Sequence, residues 1–341
     1  MLAIHQSRNS FSERWIPYCD EKGIAYKLVN CYANDIILQL NGCNALLWHH
    51  SHTNPKDILF AKQLLFALEQ SGIKVFPDFN TNWHFDDKLG QKYLFEKLGI
   101  ERPDAFVFYS KKDAIDWIAK TTFPKVFKLR SGAGSSNVRL VRDRIAAIKL
   151  VNKAFGNGFS QYQAIDYLKE RFRKYRKGKT NLKDVLKGVV RLVKPLDYVK
   201  VSGKEIGYIY FQEFIPGNDH DIRVVVIGDK AFAIKRMVRE NDFRASGGGD
   251  ILYAKALFDD ALIKLSFEIN DKLKSQCLAM DFVFDNGKPL VVEISYGFSM
   301  SGYDPCPGYW TKDLEWHEGK FNSYGWIVNN ILIEAEKTDS K

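Results

Sequence analysis

Two carboxylates set on the arms of a hairpin are the residues of this chain best suited to chemistry. Ala279 to Ser295 reads AMDFVFDNGKPLVVEIS, with strand-like apolar runs at Phe282–Phe284 and Leu290–Val292 and a strong turn signal at Asp285-Asn286-Gly287. Folding that hairpin sets Asp281 and Glu293 side by side at one rim of a sheet, where two acids repel unless a cation lies between them. Magnesium suits such a place, because it takes oxygen ligands and binds through one or two carboxylates plus substrate phosphates. Acids at strand ends are also commonly solvated or paired with lysine, so the rest of the chain has to decide.

A nucleotide is the natural companion of such an ion, and three further segments fit one. Lys125-Val126-Phe127-Lys128-Leu129-Arg130 is strand-like and runs into Ser131-Gly132-Ala133-Gly134-Ser135-Ser136-Asn137. Small residues with free backbone donors, entered from a strand that carries lysine, suit an anion-cradling loop, although the spacing is neither that of a Walker loop nor G-x-G-x-x-G. Tyr208 to Gly217 holds a Gln212-Glu213 strand that ends at Pro216-Gly217. Asp221–Ile227 and Ala231–Lys235 form a second hairpin around Gly228-Asp229-Lys230, followed by Arg236 to Gly249, a loop mixing cations with glycines.

The succession of lysine strand, glycine loop, Gln-Glu strand, cationic hairpin and two-acid hairpin resembles the ATP-grasp superfamily, in particular ribosomal-protein glutamate ligases and D-alanine:D-alanine ligases. The resemblance covers roughly Phe85 to Met300. It implies an α+β ATP-grasp fold, two α+β lobes clasping ATP, preceded by an α/β domain, with ATP and Mg²⁺ as cofactors. It also implies activation of a carboxylate as an acyl phosphate before an amine attacks. Lys88 and Lys128 take the places of the two phosphate-binding lysines, and Gly132, Gly134, Ser135 and Ser136 that of the lid over the phosphates. Gln212, Glu213, Phe214 and Ile215 correspond to the adenine-side hinge, and Asp221 to an acid near the ribose. Asp281 and Glu293 match metal ligands, with Ser295 where the family usually has Asn, a weaker oxygen donor. Arg236 and Arg244 match the pattern Arg…Asp-Phe-Arg and, with Arg223, are expected to hold the γ-phosphate and the substrate carboxylate. For Arg223 a strand-face ion pair is the competing reading.

These assignments require three elements: a domain at 1–84, a small lobe at 85–207 with a basic helical insertion at 151–205, and a large lobe at 208–341 that bears the metal site. In the first, Ile24–Val29, Asp35–Leu40, Ala45–Trp48 and Ile73–Phe76 read as strands, and Asp57–Ser71 as a helix with Leu59, Leu64, Leu65 and Leu68 inward. Such alternation favours a mainly parallel sheet. His49, His50 and His52 sit in a strand-to-loop spacing that does not guarantee the convergence a metal site needs, and a loop near the interlobe cleft is expected for them instead.

With 341 residues, 45% of them apolar and 27% charged, the chain has room for two or three packed domains. No signal-peptide pattern opens it, and no apolar run approaches the roughly 20 residues of a membrane span, so a cytoplasmic location, peripheral to the inner face of the membrane, is expected. Five cysteines without C-x-x-C spacing argue against a disulfide framework or a zinc site.

Charge is concentrated in residues 161–204, which carry thirteen Lys and Arg against four acids; that excess of nine equals the net charge of the whole protein, +9. A solvated helix face, an anionic membrane surface and an acidic glycan are the readings for this segment. Nucleic acid is disfavoured, because no stacking platform accompanies the charge. Past the acids, Tyr296 to Tyr303 and Cys306-Pro307-Gly308-Tyr309-Trp310 resemble ATP-grasp proteins of bacterial surface-polysaccharide gene sets. That points to a small-molecule or glycan carboxylate and an amine as substrates; rings that stack on a sugar and rings that merely pack are both open. A kinase-like phosphotransferase and a non-catalytic nucleotide-binding regulator are the alternative activities.

Overall fold

The computed structural model describes residues 1–131, 137–160, 168, 171–172, 175–176, 178, 180–193, 197–238, 242–245 and 250–339. They fall into two compact units, one of residues 1–51, 59–103 and 215–341, the other of 52–58 and 104–214. The cuts lie at 103/104 and 214/215, where the sequence reading divides at 84/85 and 207/208.

The first unit contains two sheets. Tyr26–Val29, Leu2–His5, Ala45–Leu47 and Lys74–Phe76 form a wholly parallel four-stranded sheet in that order. On one side Ala61, Leu65 and Leu68 of the helix Pro55–Gln70 pack with Leu46, Trp48 and Val75. On the other, Leu2, Ile4, Leu47 and Phe76 share a core with Trp15, with Ile327, Val328 and Ile331 of the helix Ser323–Asp339, and with Val225, Phe232 and Ala279 of the larger sheet. One face of the N-terminal sheet thus has a core of its own and the other shares one with the C-terminal residues, which is why the sheet belongs to the same compact unit as they do.

The larger sheet is antiparallel, in the order Lys288–Ser295, Cys277–Asp285, His220–Ile227, Lys230–Met237, Gly308–Thr311 and Trp316–Glu318, with Ile251–Leu252 paired to Lys230–Met237. Its second face is covered by Leu262, Ile263 and Phe267 of the helix Asp260–Leu273 and by Phe95 of the helix Lys88–Leu98. In the other unit, Ala105–Phe108, Ile209–Glu213, Lys125–Lys128 and Val138–Val141 make a four-stranded antiparallel sheet. Helices Lys111–Ile118 and Arg144–Ala154 cover it through Ala114, Ile118, Ala147 and Val151, against Phe127, Ile209 and Phe211. A short ribbon, Phe159–Ser160 with Lys204–Glu205, closes the base of the basic insertion.

Two local expectations are corrected. Asp35–Leu40 is not a strand but contains a single helical turn, Ile36–Gln39. Ile36 and Leu40, four apart, are buried on one side while Ile37 and Leu38 face water, a helical spacing that a run of apolar residues conceals. Leu59 is exposed, because Ala61, Leu65 and Leu68 (i, i+4, i+7) define the inward stripe and Leu59 lies off it. His49 stacks on Phe11 at 3.8 Å and accepts from the Phe11 amide at 3.1 Å, while His50 bonds Asn82 at 2.8 Å, so these two imidazoles serve different packing contacts. All five cysteines are buried free thiols.

Candidate functional site

The hairpin Cys277–Asp285/Lys288–Ser295 turns through Asn286 and Gly287 with φ of 50° and 83°, the left-handed pair that matches strand twist in a two-residue loop. Its pairing shifts by one residue between Phe282↔Val291 and Asp281↔Glu293, so Val292 is the extra residue of a bulge. Without the bulge Asp281 would face Val292; the bulge brings Glu293 opposite Asp281 instead.

Asp281 also lies directly opposite Arg223 on the next strand, so Glu293, Asp281 and Arg223 form one rung across three strands. Arg223 grips Asp281 through both Nε and Nη2. Two residues along, Asp221 faces Arg236 and receives both of its guanidinium bonds at 2.6 Å, and Arg236 also reaches Asp281 at 3.0 Å. Burial alone would push the Asp281 carboxyl up, but the charges of Arg223 and Arg236 outweigh it and hold it well below the usual carboxylate range. Asp281 is therefore a fixed carboxylate at neutral pH.

Glu293 is the more open acid, with its side chain 32% exposed, and Lys88 Nζ sits 3.1 Å from it. Lys88 opens a helix capped by Asp87, whose carboxylate accepts from the amides of Leu89 and Gly90 at 3.1 and 2.9 Å. One turn on, Gln91 donates to the Ile294 carbonyl at 2.9 Å and accepts from its amide at 3.2 Å. Gln91 thus pins the backbone between Glu293 and Ser295, a role that only its place three residues after Lys88 hints at in the sequence. The Ser295 hydroxyl is bonded to Gly297, donating to the carbonyl at 3.0 Å and accepting from the amide at 3.1 Å.

The donors here are all oxygens, which fits a hard cation. Among the described residues no group of three or more His, Cys, Asp or Glu could hold a metal. An ion on Glu293 and Asp281 would thus complete its shell from substrate phosphates and water, as magnesium does. The expectation that a metal separates the two acids is changed in one respect: Arg223, Arg236 and Lys88 already neutralise them. For Arg223 the strand-face ion pair is the arrangement found, and Arg236 shares it; Arg244 grips Asp242 at 2.7 Å.

In the other unit Lys125, missed in the sequence reading, is buried opposite Glu213 and donates to both its carboxylate oxygens at 2.6 and 2.8 Å. Lys128 is buried opposite Tyr210. Residues three apart on a strand face opposite sides, so Lys128, Tyr210 and Gln212 share one face and Lys125, Phe211 and Glu213 the helix-covered other. Glu205 ties the ribbon to the entrance of the glycine loop through Ser131 and Tyr208. Gly132, Gly134, Ser135 and Ser136 lie outside the described residues. Phe214 and Ile215 are half-buried, and the compact units part between them. The rings after Ser295 are packing anchors: Tyr296, Phe298, Tyr303 and Trp310 are buried in the cores.

A rim of alternating carboxylates and guanidiniums on an antiparallel sheet, and a small α+β sheet whose lysine strand leads to a glycine-rich segment, are the arrangement of the ATP-grasp fold, which solved structures similar to this chain share. Residues 192–304 match the RimK-like ATP-grasp domain. Over 283 residues the chain is 23% identical to the alpha-aminoadipate–LysW ligase LysX of Saccharolobus solfataricus, covering 80% of this chain and 83% of that protein. D-alanine–D-alanine ligase from Bacillus anthracis, solved with ATP, superposes with a TM-score of 0.57 at 14% identity over 98% of this chain and 97% of that one. The biotin carboxylase domain of 2-oxoglutarate carboxylase from Hydrogenobacter thermophilus, solved with MgADP, gives 0.58 at 12% over 97% and 69%.

Proposed function

We propose that the protein is an ATP- and Mg²⁺-dependent carboxylate–amine ligase. The observation that carries this is the rung Glu293–Asp281–Arg223 with Asp221–Arg236 beside it and Lys88 on Glu293. It offers oxygen ligands for a metal and a dense set of fixed cations where transferring phosphate develops charge. A ligase and an ATP-bound neighbour among its relatives support the same reading.

In the reaction proposed, a substrate carboxylate oxygen attacks the γ-phosphorus and ADP departs. The amine nitrogen then attacks the acyl carbon, loses a proton, and inorganic phosphate leaves. Mg²⁺, when bound, would offset phosphate charge. Asp281 and Glu293 would hold it, with Ser295 secondary because its hydroxyl serves Gly297. By the resemblance, we assign Lys88 and Lys128 to phosphate oxygens, Gly132 to Ser136 to the phosphate lid, and Gln212 to Ile215 to the adenine. Arg223 and Arg236 keep Asp281 ionised and in place. Arg244, held by Asp242, is the arginine we assign to the substrate carboxylate.

The carboxylate we assign is that of a sugar acid in surface-polysaccharide biosynthesis, with the enzyme working in the cytoplasm. Its support is the resemblance of the segment after Ser295; the buried rings there leave the recognition of a sugar to polar groups. The test is ADP release against paired carboxylates and amines. Release that requires both partners, with an amide product, is expected. A phosphorylated hydroxyl would make it a phosphotransferase, and ATP binding without turnover a regulator.

A further inference from the structure

The helix Leu182–Val193 presents four of its apolar residues to solvent, while Asp184, Val185, Gly188 and Arg191 are buried or half-buried. Asp184 and Gly188, four apart, form the packed side. Arg171 donates to the Asp184 carbonyl at 3.0 Å, and Thr180 to the Asp184 carboxylate at 2.9 Å. A Cβ on Gly188 would come within 2.9 Å of Leu168 Cδ1 and 3.0 Å of Arg171 Cδ. Glycine is what permits this close approach, and the approach fixes which way the helix faces. Leu182, Leu186, Val189 and Val190 stand on the opposite side and are 55%, 56%, 47% and 59% exposed. Lys183 and Lys187, both exposed, run along one flank of that apolar arc.

A helix packed on a protein core has the reverse arrangement. An apolar arc with lysines beside it, inside a segment that carries nine excess positive charges, matches what lies flat in a lipid interface. We propose that this helix docks the protein on an anionic bilayer, with Leu182, Leu186, Val189 and Val190 in the acyl boundary and Lys183 and Lys187 at the phosphates. Charge decides against the other occupants. Two copies meeting through this face would bring together two sets of lysines, since Asp184 and Asp197 are already paired within the chain, Asp184 with Arg171 and, at 3.9 Å, Lys187, and Asp197 with Lys200. A soluble acidic polymer would use the cations and leave the apolar arc in water. Membrane attachment would hold a soluble catalytic unit near lipid-linked substrates, but the docking itself does not rest on the ligase reading.

The test is flotation of the full-length protein with vesicles of phosphatidylglycerol mixed into phosphatidylcholine, and with phosphatidylcholine alone. Binding to the anionic vesicles that weakens with added salt is expected. Leu186→Glu and Val190→Glu should each weaken it at least about tenfold, the scale of burying one aliphatic side chain. Lys183→Glu with Lys187→Glu should weaken it comparably. An unchanged thermal transition checks that each variant is folded, and Leu186→Ser serves where the glutamate is not tolerated. No binding to anionic vesicles would overturn the proposal, as would binding that ignores the apolar substitutions. A concentration-dependent dimer abolished by Leu186→Glu without vesicles would do the same, as would a soluble polyuronate that binds Leu186→Glu as tightly as the wild type and displaces vesicles. The assay involves no ATP turnover, so its failure leaves the ligase reading intact.

Discussion

Glu205 accepts a hydrogen bond from Ser131 Oγ at 2.5 Å, linking the last strand of the insertion's base to the first residue of the glycine loop. The other carboxylate oxygen of Glu205 accepts from the Tyr208 hydroxyl, which in turn accepts from the Arg130 amide at 2.7 Å. Burial and the neighbouring Glu205 charge both push the Tyr208 phenol up, so it remains a donor. The two residues that enter the glycine loop thus hang from one buried acid. Glu205→Ala should free that entrance and raise the KM for ATP several-fold while kcat falls less, as expected when a binding element loses its positioning. Glu205→Gln, which keeps the shape but weakens the charge-assisted bonds, should be intermediate; equal kcat and KM values in all three proteins would show that the loop is anchored elsewhere.

The rung Glu293–Asp281–Arg223 yields separable outcomes. Asp281→Asn or Glu293→Gln should abolish magnesium-dependent ADP formation by at least about a hundredfold, the usual scale for losing one electrostatic contact in a transition state. Arg223→Met should act mainly on stability. It leaves Asp281 buried with one guanidinium instead of two, and breaking such a pair costs about 3–5 kcal/mol. Chemical denaturation distinguishes them: Glu293→Gln, at a half-open site, should unfold close to wild type, and Arg223→Met clearly earlier.

Much of this site was legible because its parts are local. The Asn286-Gly287 turn and the order of lysine strand, Gln-Glu strand and two hairpins are short-range features, and the structure has the strands they imply. What was not legible depends on register. Lys125 and Lys128 are equally plausible in sequence, and only pairing to the strand Ile209–Glu213 shows that Lys125, not Lys128, meets Glu213. Likewise the Val292 bulge, which sets Glu293 opposite Asp281, has no glycine or proline to announce it. The ion pairs of Arg223 and Arg236 are hidden for the same reason: only the register of the strands beside them shows that Asp281 and Asp221 face them. The core that one face of the N-terminal sheet shares with the C-terminal helix is likewise a long-range contact that no local pattern announces.

His84 makes stability depend on mild acid. Its ring is buried beside Trp83, neither nitrogen has a hydrogen-bond partner among the described residues, and burial pushes its pKa down to about 4. The unfolded chain takes up the proton near its ordinary value of 6.5, whereas the folded state does not until about 4. Folding stability is therefore full above pH 6.5 and falls as the pH drops toward 4, by up to about 3 kcal/mol from this one group. Asp281, held low by its arginines, contributes loss in the same direction but only below the ordinary carboxylate range. Denaturation midpoints measured from pH 7 to pH 4.5, roughly the span of the histidine effect, should drop for the wild type and flatten for His84→Leu. Parallel slopes in the two proteins would assign the acid sensitivity to other groups.

Ser295 offers the sharpest reading of how the metal is held. Its hydroxyl both donates to and accepts from the backbone of Gly297, and it sits two pairs beyond Glu293 on the same strand, opposite Ala279. A hydroxyl already engaged twice has little to offer an ion, so Ser295→Ala should leave the magnesium concentration for half-maximal ADP formation within about twofold of wild type. Its cost should appear instead as looser packing of the turn, about 1 kcal/mol of stability for two lost neutral hydrogen bonds. Ser295→Asn is the informative opposite. The amide carbonyl extends one bond further than the hydroxyl and can reach past the turn, so the magnesium requirement should fall severalfold if the ion lies between Asp281 and Glu293. A Ser295→Asn enzyme with an unchanged magnesium titration, and a Ser295→Ala enzyme with a strongly raised one, would together show that the wild-type hydroxyl leaves Gly297 to bind the metal directly.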